Sequence, residues 1–155
     1  MSVISQFPER EPLSGQPNFV IHVDSAKTLA PGDHILLQIT KSVYRKVFRS
    51  GLVTKIDLTS GKLYIEYFTN KEEGVVKKCA PFEKLQCLYK VQYSACRYST
   101  EESLLRAEGR INEEHYHSLN NNSHFFVTWC KTGREQPMTD ILRGLEYREG
   151  ELVIP

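Results

Sequence analysis

Between Phe19 and Tyr93 the apolar residues come in six short bursts, and after Tyr98 their period changes. This switch constrains the fold more than any other feature of the chain. The bursts are Phe19–Val23, His34–Thr40, Ser50–Ile56, Lys62–Phe68, Val75–Lys77 and Gln86–Tyr93. Each is alternating or continuously apolar over a strand's length, which predicts β-strands. Turn chemistry separates them. Ala30-Pro31-Gly32-Asp33 precedes the second burst, and Thr59-Ser60-Gly61 joins the third to the fourth. Gly61 can take the positive φ that a tight hairpin needs, and an antiparallel meander is the expectation.

Past Tyr98 the spacing is helical. Ser99 is followed three residues later by Glu102, the capping-box pattern in which hydroxyl and carboxylate satisfy the first free amides of a helix. Leu104, Ala107 and Ile111, then His115 and Leu119, recur at helical spacing and predict one buried face. Asn120 to Asn122 interrupt the period. A second apolar run, Phe125 to Cys130, ends at Gly133, which suits a left-handed cap and predicts a short, mostly buried helix. A last amphipathic turn is expected over Thr139 to Leu145, capped by Thr139 or Asp140.

Composition bounds the function. A chain of 155 residues, 40% hydrophobic and 25% charged, has the balance of a globular domain. Its formal net charge of +1 supplies no whole-molecule field for nucleic acid, so nucleic acid is not an expected partner. Cys79, Cys87, Cys96 and Cys130 form no C-x-x-C pair and have no His at zinc-ligand spacing, so neither metal nor other cofactor is expected. The first residues carry no secretory pattern and no segment reaches the roughly 20 apolar residues of a transmembrane helix. The expectation is a cytoplasmic protein with free thiols and no transmembrane segment. Residues 1–17 read as a flexible leader, 18–146 as the domain and 147–155 as a C-terminal tail.

Three blocks carry a resemblance: Ala30-Pro31-Gly32-Asp33-His34-Ile35; Tyr98-Ser99 with Leu104; and Asn121-Asn122-Ser123-His124-Phe125-Phe126-Val127-Thr128-Trp129-Cys130-Lys131-Thr132-Gly133. From about Leu29 to Gly133 the chain resembles the lecithin:retinol acyltransferase-like (LRAT-like) domain of the NlpC/P60 clan. The resemblance implies an α+β, permuted papain-like fold, with an antiparallel sheet packed against two or three helices. In that family a sheet histidine faces a cysteine in the first turn of a helix. The helix dipole and the imidazole favour the thiolate, which takes an acyl group from an ester and passes it on.

The residues that do this chemistry are replaced here. Counted back from Trp129-Cys130-Lys131-Thr132-Gly133, the nucleophile position falls on Ser123, and a register shifted by one puts Asn122 there. Neither is a thiol. The sheet histidine positions fall on Ser50 and Glu66, and no histidine lies between His34 and His115. A serine hydroxyl stays protonated at neutral pH and attacks nothing without an adjacent base. The resemblance therefore implies a degenerate enzyme with Ser50, Glu66 and Ser123 at the former catalytic positions.

Other candidates have plainer readings. Cys130 reads as a core thiol, and Cys79, Cys87 and Cys96 as structural or incidental. His115 and His117, two apart, fall on different helix faces and make a poor metal pair. His34 opens a core strand and reads as structural, and His124 is not expected to pair with Ser123, because adjacent helix residues diverge. Lys41, Arg45, Lys46, Arg49 and Lys55 form a basic run with no acid before Asp57. It reads as a charged strand edge, or, through Lys41, Arg45, Lys46 and Arg49, as a contact for anionic lipid that would make the protein peripheral at membranes.

The resulting expectation is a non-catalytic binding or regulatory module whose ligand surface is the former cleft, where amides at the start of the Ser123 helix would hold a carboxylate or phosphate. Two alternatives stay open. One is an active lipid acyltransferase or phospholipase using Ser123 or another nucleophile; the other is a scaffold partner of an active relative.

Overall fold

A computed structural model describes residues 17–38, 48–85, 88–93, 96–113 and 122–135. It is an α+β fold with a six-stranded antiparallel sheet and two α-helices among the described residues. The strands are β1 (Pro17–His22), β2 (His34–Gln38), β3 (Phe48–Thr59), β4 (Lys62–Lys71), β5 (Gly74–Pro81) and β6 (Tyr89–Tyr93). The helices are α1 (Thr100–Glu108) and α2 (Ser123–Thr132).

All six expected strands exist, but they are not a simple meander. The order is β1-β6-β2-β3-β4-β5. Strands β2 to β5 do run as consecutive neighbours. β6 then returns to the far side and inserts between β1 and β2, pairing antiparallel with both. The β3–β4 hairpin turns at Ser60 and Gly61, both at positive φ, as the turn residues require.

Each face of the sheet has its own core. Cross-strand neighbours point to the same side, so the pairings His34↔Leu52, Leu36↔Ser50 and Leu52↔Phe68 place these residues together on one face. There Leu52, Phe68 and Val75 pack against Ala107 of α1 and Phe126, Val127 and Cys130 of α2. On the opposite face Ile35, Leu37, Val53 and Ile65 meet Val23, Ala26, Leu29 and Leu88 from the connecting segments.

Helix α1 begins where the capping box predicts: Ser99 Oγ accepts from the Glu102 amide and the Glu102 carboxylate accepts from the Ser99 amide. It ends earlier than the apolar spacing suggests. Gly109 caps it, Asn112 turns to φ 73°, and Ile111 leaves the helical path to bridge Val75 on β5. The Asn112 amide donates to the Val75 carbonyl, so this segment closes part of a sheet edge instead of prolonging a helix across a costly glycine. His115, His117 and Leu119, and the expected turn over 139–145, lie outside the described residues.

Helix α2 ends at Gly133, at φ 84° in the left-handed cap the sequence predicts. The helices are joined by Arg106, whose guanidinium lies over the Trp129 and Tyr98 rings and donates to the Trp129 carbonyl. No helix among the described residues is long and apolar enough to cross a membrane.

Candidate functional site: a buried serine between two imidazoles

Where the first turn of α2 meets β3, four polar side chains form one chain of contacts. Ser50 Oγ is 2.8 Å from His34 Nε2 and 2.7 Å from His124 Nδ1. On its far side His34 Nδ1 is 2.7 Å from the Tyr93 hydroxyl. The order across the sheet and onto the helix is therefore Tyr93, His34, Ser50, His124. Strand pairing sets it up: β2 lies beside both β3 and β6, so an inward histidine at the start of β2 reaches a side chain from each.

The Ser50 backbone is held as tightly as its hydroxyl. Its amide donates to Ser123 Oγ at 3.0 Å, and its carbonyl accepts from Thr69 Oγ1 at 2.8 Å. Consecutive residues of α2 thus clasp one strand residue, Ser123 at the main chain and His124 at the side chain. His34 and Ser50 are fully buried, and Ser123 and His124 are 4% and 8% exposed. The little access that exists is from the helix side.

Burial decides the protonation of this group. It is the main reason that the His34 ring is held well below the ordinary imidazole range, with the nearby charges of His124 and Lys131 acting in the same direction. Burial likewise lowers His124 to about 4; the Phe48 carbonyl bonded to it opposes the shift and Arg49 adds to it. Tyr93 is pushed well above the usual phenol range, again mainly by burial. At neutral pH both rings and the phenol are uncharged. Each then carries a single N–H or O–H, and Ser50 contributes one more. The hydrogen bonds must then run in one sense along the whole chain.

Of the positions the resemblance singles out, the structure brings two together. Ser50 and Ser123 touch. Glu66 does not join them: it sits toward the β3–β4 turn, where its carboxylate accepts from Thr54 Oγ1 at 2.6 Å and lies 3.9 Å from Lys77 Nζ. Continuing the Leu52↔Phe68 register by two residues puts Asn70, itself buried, across from Ser50. Arg49 is half-buried beside this site, whereas Lys41, Arg45 and Lys46 lie outside the described residues.

The expected use of helix amides for an anion does not survive the geometry. Asn122 Oδ1 caps the amides of His124 and Phe125 at 2.9 and 3.3 Å, and the Asn122 carbonyl takes the Phe126 amide at 2.9 Å. These first-turn donors are already satisfied from within the chain.

Sequence reasoning missed His34 and His124 as partners of Ser50. A signal for His34 was present, because alternation places His34 and Leu36 on the face that Ser50 and Leu52 share. It also missed Lys131, buried in α2, whose Nζ donates to the Gly32 carbonyl at 2.6 Å. That bond ties the Lys-Thr-Gly end of one quoted block to the Pro-Gly-Asp turn of another. Cys130 is a buried thiol pushed up to about 12 by desolvation, with Arg110, Arg106 and Lys131 opposing, and is no thiolate at neutral pH. Among the described residues no His, Cys, Asp and Glu cluster could hold a metal ion. Comparison with protein-family models, with curated proteins and with solved structures returns no match.

Proposed function

We propose that this chain is an LRAT-like domain of permuted papain-like topology that has lost acyl transfer and serves as a non-catalytic binding or regulatory module. The carrying observation is the 3.0 Å bond from the Ser50 amide to Ser123 Oγ. It supports the reading because it joins the two positions at which the resemblance expects imidazole and thiol, one on a strand and one in a helix's first turn. A hydroxyl there is no substitute. Ser123 accepts a bond from a main-chain amide and neither imidazole is bonded to it, so no base is in place to take its proton.

A second reading, a serine-dependent acyltransferase or phospholipase, has one observation in its favour. Tyr93, His34 and Ser50 stand in the order of orienting group, base and nucleophile, with each ring nitrogen correctly used. Against it, Ser50 is fully buried and its hydroxyl is shared with a second imidazole. The module's partner is then a protein, an active relative included, or an anionic lipid surface met by Lys41, Arg45, Lys46 and Arg49.

The deciding experiment exposes the purified chain to a fluorophosphonate and follows intact mass alongside hydrolysis of a lipid ester. Absence of both label and turnover is the expected result. Stoichiometric label that disappears in Ser50→Ala or Ser123→Ala would establish the enzyme reading instead. Flotation with phosphatidylserine and with neutral vesicles separates the partner classes: selective flotation with the former assigns lipid.

A further inference from the structure

We infer that the two imidazoles gripping Ser50 form an acid-operated latch that holds the start of α2 on the sheet and lets it go as they take up protons. Such a latch is separate from the proposed function and operates whether or not the module binds lipid. Proton counting sets its terms. Ser50 has one hydroxyl hydrogen, and whichever way the chain of bonds runs, that hydrogen needs a bare ring nitrogen on His34 or on His124. Protonating both rings leaves no such nitrogen. The Ser50 O–H then faces N–H groups on both sides.

The charges around the site make matters worse in acid. From β3 it is faced by Arg49, from β6 by Tyr93, and from α2 by Lys131 and Cys130. From β4 come the buried, neutral Thr69 and Asn70. Among the described residues no carboxylate pairs with either ring. Two new positive charges would join a guanidinium and an ammonium with no counterion at hand.

The route of relief is set by the packing. From Phe126 onward α2 is fixed by Phe126, Val127 and Cys130 in the core and by the Lys131 bond to Gly32. Its first two residues, Ser123 and His124, are held to the sheet by polar contacts. That start of the helix is the part that can lift. Lifting it uncovers Ser50 and Ser123.

The pH window follows from the shifts. A released His124 titrates near 6.5 and a docked one near 4, so the docked turn is fully favoured above 6.5 and loses ground as pH falls toward 4. His124 alone shifts the docking equilibrium about tenfold per pH unit, or about 300-fold across the window. His34, lowered in the same direction, adds to it.

The test is amide hydrogen exchange on the full chain between pH 7.5 and 4, corrected for intrinsic rates, together with NMR titration of the rings. The latch predicts that protection falls below pH 6 at the Ser50 amide, which donates to Ser123, and at the His124 amide, while the rest of the β3–β4 hairpin stays protected. It also predicts a shallower pH dependence in His124→Asn, whose side-chain oxygen replaces the ring acceptor without titrating. Uniform loss of protection in helix and sheet would overturn the latch in favour of global acid unfolding, and so would an unchanged pH dependence in His124→Asn. If that variant does not fold, the unmodified chain still decides: a His124 ring titrating near 6.5 refutes the proposal.

Discussion

Replacing Ser50 by alanine removes one oxygen and leaves two imidazole nitrogens facing a methyl group. The backbone bonds of residue 50, from its amide to Ser123 and into its carbonyl from Thr69, are untouched, so the substitution isolates the hydroxyl. Both abandoned nitrogens are buried, and orphaning a buried polar group costs about 1–3 kcal/mol each. The two together predict a loss of about 2–6 kcal/mol. Ser123→Ala supplies the internal comparison: it orphans one amide, that of Ser50, and should cost only about 1–3 kcal/mol. Urea unfolding at pH 7.5, followed by Trp129 fluorescence and far-ultraviolet circular dichroism, measures both. The midpoints should fall in the order unmodified, Ser123→Ala, Ser50→Ala, with equal slopes. A Ser50→Ala loss below about 1 kcal/mol would mean that the rings find other partners, and the reasoning about a shared hydroxyl would fail.

Other substitutions probe the elements that deliver these groups. Phe126, fully buried where α2 meets Leu52 and Phe68, should cost about 3–5 kcal/mol when cut to alanine, read as a lower thermal midpoint. Asn122→Ala removes the acceptor for the His124 and Phe125 amides and should lower stability by about 0.5–2 kcal/mol by urea unfolding. Lys131→Met keeps the length of the side chain but deletes its bond to the Gly32 carbonyl. A loss of about 1.5–3 kcal/mol is expected, and a variant as stable as the parent would show that this carbonyl finds a substitute donor.

Local features were legible in the sequence. The Ser60-Gly61 turn, the Ser99 and Glu102 capping box and the Gly133 cap depend on a few neighbouring residues, and all three occur where their chemistry places them. Non-local features were not. The insertion of β6 between β1 and β2 depends on contacts between distant segments that alternation cannot rank. The end of α1 was decided by competition: apolar spacing ran on through Ile111, but the edge of β5 offered the Asn112 amide an acceptor. The Ser50 cluster is the extreme case. Its histidines lie 16 and 74 residues away, on a neighbouring strand and on a helix. Adjacent helix residues do diverge, and Ser123 and His124 do so by closing on two different groups of Ser50.

The difference between a catalytic constellation and a structural one lies here in access and direction, since the residue types alone fit both. A nucleophile must offer a lone pair to an incoming carbonyl, and its base must be free to take the proton at that moment. At Ser50 both are engaged within the fold. Its oxygen is enclosed by His34 and His124, its amide and carbonyl are spent on Ser123 and Thr69, and the α2 amides that might steady an oxyanion are spent on Asn122. Satisfying so many buried polar groups from within is what makes the docking of α2 on β3 specific, since a displaced or rotated helix would orphan several of them at once. The same completeness explains why acid is the weak point: no carboxylate among the described residues pairs with either ring, so two added protons disrupt a network that neutral rings close.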